Sequence, residues 1–395
     1  MISFDESVAL IASTATPLGS ESVRLQEAAG RVLASAVIAR IDSPRSDVSA
    51  MDGYAVRDSD LSSLPAKLRI VGESFAGRGF NGEFGTGECV RIFTGASVPS
   101  GADRVVIQEN VRREDDFAIF EIEAGDGRNI RRSGGDFAAG DVLLEAGTRL
   151  DPRALVAAAG ADLADLEVSR RPRVHILGTG DELAEPGSAS ASADRIPESV
   201  SFGIAALVAQ WGGIVTARNR LRDDVSELEA AAAQAVRDSD LVVVTGGASV
   251  GEKDFAKTMF EPLGLQLHFS KVAMKPGKPV WLGRVGPTLV MGLPGNPTSA
   301  LVTARLLLAP LISAMTGLPV EKALQWRRAR LANGLRECGS RETFHRACWN
   351  GDSVAVLPNQ DSSAQKALAQ ADVLVRQQAN GPAVGTGGEV DVVDF

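Results

Sequence analysis

Three short turns between residues 245 and 297 carry residue types able to hold an anion: TGGASVGEKD at 245 to 254, MKPGKP at 274 to 279 and GLPGNP at 292 to 297. The first and third follow apolar, β-branched runs, Leu241 to Val244 and Leu289 to Met291, and each precedes a segment of helical character, from Phe255 and from Thr298. At a strand-turn-helix junction the helix N-terminus presents unpaired N–H groups and the positive end of its dipole, and glycine lets the backbone approach a ligand closely. Phosphate or another oxyanion fits there. Pro297 suits a first helical turn, where its missing N–H costs nothing, so a helix is expected to start just after Asn296. Lys271, Lys275 and Lys278 lie between the turns, a basic cluster in a chain of net charge −9, which suits a local anion.

Each piece has a plain structural alternative. A GG pair after a strand commonly makes a tight connection, PGNP can be a loop, and three lysines can be a solvated face. What argues for a site is convergence. Ligands of open α/β sheets bind at the carboxyl ends of the strands, and these turns fall on one edge of the expected sheet.

Residues 173 to 318 alternate strand and helix: VHIL at 174 to 177, a helix near Ser201 to Trp211, IVTAR at 214 to 218, a helix from Val225 to Val236, then LVVVT. That alternation predicts a mostly parallel sheet covered on both faces. From about Lys67 to Leu150 short β-like runs (LRIVGESF, CVRIF, RVVIQE, FAIFEIE) alternate with Gly, Asn and Asp turns, a barrel or sandwich pattern. Phe4 to Ser13 and Ser22 to Ala29 read as two helices, and Pro152 to Ala159 as a third that packs back on them, making the β-rich block an insertion. After Pro319 the chain is β-like to its end. The expected division is a helical linker domain at 1–45 and 141–172, an inserted β-rich domain at 46–140, an α/β domain at 173–320 and a C-terminal β domain at 321–395.

With 395 residues, 44% hydrophobic and 23% charged, the chain has the balance of a soluble globular protein of several domains. A pI of about 5.1 disfavours nucleic acid as a partner. The opening MISFDESVALIAS lacks a basic region and is not read as a signal peptide, and Ala300 to Met315, broken by Arg305 and Pro310, reads as a core helix and not a membrane span. A cytoplasmic location is expected. Cys89, Cys338 and Cys348 lack metal-site spacing, and His175, His268 and His345 are scattered, so any metal would be a hard cation held by oxygen, such as magnesium.

SAMDGYAVR at 49 to 57 is not explained by propensity. With LQEAAGRVLA (25 to 34), RIFTGASVPSGADRVVIQE (91 to 109), GTGDEL (178 to 183), TGGASVGEKD, KVAMKPGKP and GLPGNPTSA, it resembles the molybdopterin molybdenumtransferase family, the MoeA proteins and the gephyrin E domain. The matches run in the same order along nearly the whole chain. The resemblance implies molybdenum insertion into adenylylated molybdopterin from molybdate, with release of AMP and with Mg2+ assisting. It also implies a C-terminal domain of barrel-like form and an elongated homodimer in which the α/β cleft of one subunit faces the β-rich domain of the other. It admits a molybdopterin adenylyltransferase and molybdoenzyme chaperones as further partners.

Carried over by resemblance, the catalytic positions are Asp52, Thr94, Asp136, Glu182, Asp223, Asp254, Lys275 and Lys278. The substrate-binding ones are Thr179, Gly180, Asp181, Gly246, Gly247, Ser249, Gly251, Lys271, Pro294, Gly295, Asn296 and Pro297, with Asp254 and Glu182 as metal ligands. Physical chemistry agrees: carboxylates beside a phosphoanhydride are useful chiefly through a divalent cation, and lysines hold phosphate or molybdate as point charges. Asp52 could instead shape a turn, and Asp223 could cap the helix after it. Ser362 and Ser363 resemble a small family motif and equally an ST-turn. One departure stands at IPESVSFG (196 to 203): Glu198 and Ser199 keep a carboxylate and a hydroxyl, but Val200 replaces the family's Asn. Two other functions compete. A molybdopterin adenylyltransferase shares the α/β fold but lacks the MDGYA-bearing domain, and a noncatalytic pterin-binding scaffold would not need Asp254, Lys275 and Lys278.

Overall fold

The computed structural model describes residues 1–246 and 255–395. The central element is a six-stranded sheet in which the strands Ile214–Leu221, Arg173–Thr179, Leu241–Thr245 and Thr288–Leu293 lie side by side and parallel, followed by antiparallel Trp281–Val285 and Gln266–Phe269. The Leu241–Thr245 and Thr288–Leu293 strands are buried at every position, as their unbroken apolar runs require when helices cover both faces. One face packs on Val200–Gln210 and the long Pro297–Met315 helix. The other packs on Leu228, Ala232 and Ala235 of the Val225–Asp238 helix, with Phe260 and Trp281. This is the three-layer α/β arrangement the sequence predicts.

The Pro297–Met315 helix is, among the described residues, the segment long and apolar enough to cross a bilayer, and 89% of its apolar window is buried inside the fold. It is a core helix, as Arg305 and Pro310 suggest. A π-helical turn at Ala304–Leu308 turns Arg305 toward the C-terminal strand, where its Nε donates to the Asp394 carbonyl at 2.6 Å and its Nη1 to the Ala323 carbonyl at 2.8 Å. The N-terminal helix Phe4–Thr14 is closed by a capping box between Ser3 and Glu6 and buries Phe4 and Ile11 in this same core, so it packs with the α/β layers.

The rest is β. Residues 53 to 120 form a six-stranded sheet whose central strands are Glu88–Ile92 and Ala66–Ser74, with Gly53–Val56 beside the first of them. After 327, five strands close on themselves through the extra pairing of Glu342–Asn350 with Val373–Gln377, a barrel to which Met274–Lys275 adds a short edge. The linker carries one α-helix, Pro152–Gly160, with Asp151 accepting from the Ala154 N–H at its start.

Ser22 to Ala29, expected as a helix, is instead the strand Ser20–Arg24 and a short 3-10 turn at Leu25–Glu27. The strand pairs antiparallel with Asp165–Ser169, and Val23 and Leu25 pack toward Leu166 and Val168. A partner strand far along the chain overrode local helix propensity.

Candidate active site

The glycine turns meet at the carboxyl ends of three adjacent parallel strands. Gly246 follows Leu241–Thr245 with φ +91°; a Cβ there would fall 2.4 Å from the Thr179 carbonyl oxygen and 2.9 Å from its hydroxyl. A Cβ on Gly295, which follows Thr288–Leu293, would fall 3.2 Å from the Gly246 Cα. Gly180, with φ +149°, has the Glu182 carboxylate folded over it, 2.6 Å from where a Cβ would sit. At Gly246 a side chain would strike backbone that cannot move aside, whereas at Gly295 an added Cβ would need a shift of a few tenths of an ångström. Thr179, Gly180, Gly246 and the Pro294–Pro297 turn therefore form one cradle, and the Thr179 hydroxyl is buried within it without a hydrogen-bond partner. A buried hydroxyl of this kind is a donor waiting for an acceptor.

Asp181 joins the cradle through its carboxylate, which accepts the Asp223 N–H at 3.2 Å. Asp223 is not the cap of the next helix: Asp224 is, its carboxylate accepting the Glu227 N–H at 2.9 Å. Arg195 donates to the Asp181 and Leu183 carbonyls, and Arg220 to Leu183, so two guanidiniums that the sequence reading missed fasten the GTGDEL turn. As surface arginines they carried no signal in the sequence. Gly247, Ser249, Gly251 and Asp254 lie outside the described residues. Helix follows from Phe255, as expected, over Phe255–Thr258.

The third junction is as expected. The helix starts at Pro297 with Asn296 as its N-cap, but Asn296 does not bond its own helix. Its Nδ2 donates to the Ser362 hydroxyl at 3.0 Å, and the Thr298 N–H donates to the Ser362 carbonyl at 3.2 Å. The barrel thus reaches over and closes the first turn of the helix, beside exposed Gly295 and Asn296. Ser363 makes the turn weighed for it, donating N–H and hydroxyl to the Asp361 carboxylate, which lies below the usual carboxylate range for that reason.

Lys271, Lys275 and Lys278 are all exposed. The MKPGKP turn closes with the Val272 N–H on the Lys278 carbonyl, and Gly277, at φ +109°, sits where a Cβ would lie 2.3 Å from the Thr303 hydroxyl. The turn that carries Lys275 and Lys278 is thereby held against the helix that begins at Pro297.

Asp52, Thr94 and Asp136 lie elsewhere. Asp52 accepts both the N–H and the hydroxyl of Thr94 at 2.7 Å, which fixes the turn after Glu88–Ile92. Asp136 is exposed, with its N–H on the Ser43 carbonyl. Among the described residues, none of the three hydrogen-bonds to the cradle of its own chain. The Thr94 hydroxyl and N–H, and then Arg91, hold the Asp52 carboxyl below the usual carboxylate range. Because the folded value is lowered, its contribution to the Thr94 turn is complete above the ordinary carboxylate pKa and is lost as pH falls through the lowered one. An NMR pH titration should show the Thr94 amide moving only in that acidic window; a midpoint at the ordinary carboxylate value would remove the interaction.

Glu198, at the departure from the family pattern, is 6% exposed and accepts the Ser201 N–H at 2.8 Å and the Ser201 hydroxyl at 2.5 Å, with Arg218 donating to that hydroxyl. Its carboxylate starts the Val200–Gln210 helix.

Comparison with known proteins defines first a class. The descriptions "MoeA N-terminal region (domain I and II)", "Probable molybdopterin binding domain" and "MoeA C-terminal region (domain IV)" match residues 2–161, 175–314 and 328–395. A molybdopterin molybdenumtransferase of Haemophilus influenzae is 42% identical over 302 residues, 76% of this chain and 74% of that one. A crystal structure of a molybdopterin biosynthesis moeA protein from Pyrococcus horikoshii superposes with a TM-score of 0.87 at 26% identity, covering all of both chains. The chain belongs to the molybdopterin molybdenumtransferase family.

Proposed function

We propose that this chain transfers molybdenum from molybdate into adenylylated molybdopterin and releases AMP, with the glycine cradle as the site of the phosphoanhydride. The observation that carries this is the meeting of Thr179, Gly246 and Gly295 at adjacent parallel strand ends, where N–H groups and an unpartnered hydroxyl can face an anion. Lys275 and Lys278 hold the phosphate or molybdate oxygens. In that geometry the residues orient the anion, and the donors of the cradle take up charge developing on it.

Magnesium belongs to this reading. No group of three or more His, Cys, Asp or Glu that could hold a metal exists among the described residues. Magnesium commonly takes one or two carboxylates together with substrate phosphates, so the exposed Glu182, with Asp254, fits it. The ion would supply charge neutralisation on the phosphates. The assembly belongs here too: Ile38 and Val142, paired across two short strands, are 50% and 51% exposed and Val156 is 74% exposed, apolar surface on the linker that suits a second copy bringing its own Asp52, Thr94 and Asp136 to the cleft. A cytoplasmic location fits.

The test is AMP release from adenylylated molybdopterin on adding molybdate and magnesium. Lys275→Ala should lower it by about a hundredfold, the usual cost of one transition-state electrostatic partner, with binding that weakens as salt rises. Full activity in that variant would return the lysine to a solvated face. Pyrophosphate release from ATP and unmodified molybdopterin would indicate an adenylyltransferase, and neither product a scaffold.

A further inference from the structure

At the opposite end of the α/β sheet, where Arg173 opens the strand that ends at Thr179, the linker meets the α/β layers around a cavity of about 10 Å³. Its charged lining is cationic, set beside the hydroxyls of Ser169 and Thr316. Arg31 and Arg149 come from the linker, and Arg171 and Trp211 from the α/β side. The Trp211 indole N–H is buried without an acceptor. Arg31 Nη2 reaches Glu21 at 2.5 Å and the Ser169 carbonyl at 2.8 Å. Arg149 Nη2 donates to the Gln210 carbonyl at 3.0 Å and Arg171 Nε to the Gly212 carbonyl at 3.2 Å. Neither Arg149 nor Arg171 meets a carboxylate among the described residues.

The plain explanation is that these arginines cap helix C-termini. It covers part of the charge. Two helices end here, at Gln210 and Met315, each worth about half a negative charge, and Glu21 adds one more. Against three guanidiniums this leaves an excess of about one positive charge at the site. Arg305 adds to the field, its guanidinium 5.2 Å from the Trp211 ring centroid. Burial and then Arg31 push the Arg171 guanidinium below its ordinary value, and Glu21 opposes that shift without cancelling it. In a chain of net charge −9 such an excess is local, and the cavity is wide enough for one sphere of about the size of a water molecule.

We propose that this cavity binds one halide-sized monovalent anion, chloride in solution, held by the Arg149 and Arg171 guanidiniums and the Trp211 indole N–H. The anion fastens the linker to the α/β layers. Chloride fits better than an oxyanion because the enclosed space takes one atom; an oxyanion would have to sit in the neighbouring open groove of about 460 Å³ lined by Arg170, Arg171 and Arg173 together with Glu21. The site lies a strand length, about 20 Å, from the glycine cradle, so its occupancy can be altered without touching the residues that hold substrate.

Crystals of the full chain grown in bromide should show an anomalous peak beside the Trp211 Nε1. In solution, the thermal midpoint of the wild-type protein should rise by about 2 °C for each tenfold increase in bromide above saturation, at ionic strength held constant with gluconate. In Arg171→Gln and in Trp211→Phe, which keeps the ring and removes only the donor, that rise should be absent. Three results would each overturn the proposal: no anomalous peak in the cavity, a bromide response identical in wild type and Trp211→Phe, or a larger Arg171-dependent response to phosphate than to bromide, which would move the site to the open groove. Should Arg171→Gln fail to fold, Trp211→Phe and the anomalous map decide the matter.

Discussion

Gly246→Ala is expected to leave a folded protein whose molybdate-dependent AMP release has fallen by about a hundredfold or more, since a displacement of roughly 1 Å among positioned groups is enough for that loss. The new Cβ would meet the Thr179 carbonyl oxygen at 2.4 Å, a backbone atom that cannot rotate away, and φ at +91° is a conformation that residues with a side chain rarely adopt. The turn must move. It stands immediately before residues 247 to 254, which carry Asp254. The stability cost should be local, about 1 to 3 kcal/mol, because the residues beneath, Val242 to Val244, remain packed. Gly295→Ala is the natural comparison: its Cβ would come to 3.2 Å of the Gly246 Cα from an exposed turn that can yield. AMP release and thermal midpoint for both proteins check this. Gly246→Ala activity within a few-fold of wild type would separate the cradle from the chemistry.

The largest stability effect is expected at Arg346, which is 1% exposed and has no acidic partner in contact among the described residues. Its backbone N–H donates to Gln360 Oε1 at 3.0 Å and its Nη1 and Nη2 donate to the Asp361 and Asn359 carbonyls at 3.1 and 3.2 Å. One buried guanidinium therefore shapes residues 359 to 361, the approach to Ser362. Burial pushes its pKa down, and the Asp361 carboxylate opposes that shift. Arg346→Met should cost about 2 to 4 kcal/mol, from the two part-buried carbonyls left without their donor. The same change should loosen the contact of Ser362 with Asn296 and Thr298, seen as faster amide exchange at Thr298. A stability loss below about 1 kcal/mol would mean that water replaces the guanidinium, and the barrel's hold on the helix start would need another source.

The strands and helices of the α/β layers could be read from the chain because their signals are local and strong. Leu241 to Val244 is an unbroken apolar run, Pro297 marks a helix start by its fixed φ and missing N–H, and glycine after each strand announces a backbone conformation other residues avoid. The family motifs, too, are contiguous stretches, so the cradle residues Thr179, Gly180, Gly246 and Pro294 to Pro297 were all identifiable. Ser22 to Ala29 was misread because its conformation is set by Asp165–Ser169, over a hundred residues away, and no window of local sequence contains that partner.

Sequence alone thus determined which backbone segments adopt which local form, and which residue types could hold an anion. Tertiary structure alone decided which of them meet. Asp52 bonds Thr94 of its own domain, Glu198 starts a helix, Asp224 and not Asp223 caps one, and Ser362 from the barrel closes the first turn at Thr298. Each of these is a hydrogen bond whose partner is chosen by how layers pack, and a carboxylate or hydroxyl in a sequence offers its lone pairs equally to a ligand and to a neighbouring N–H.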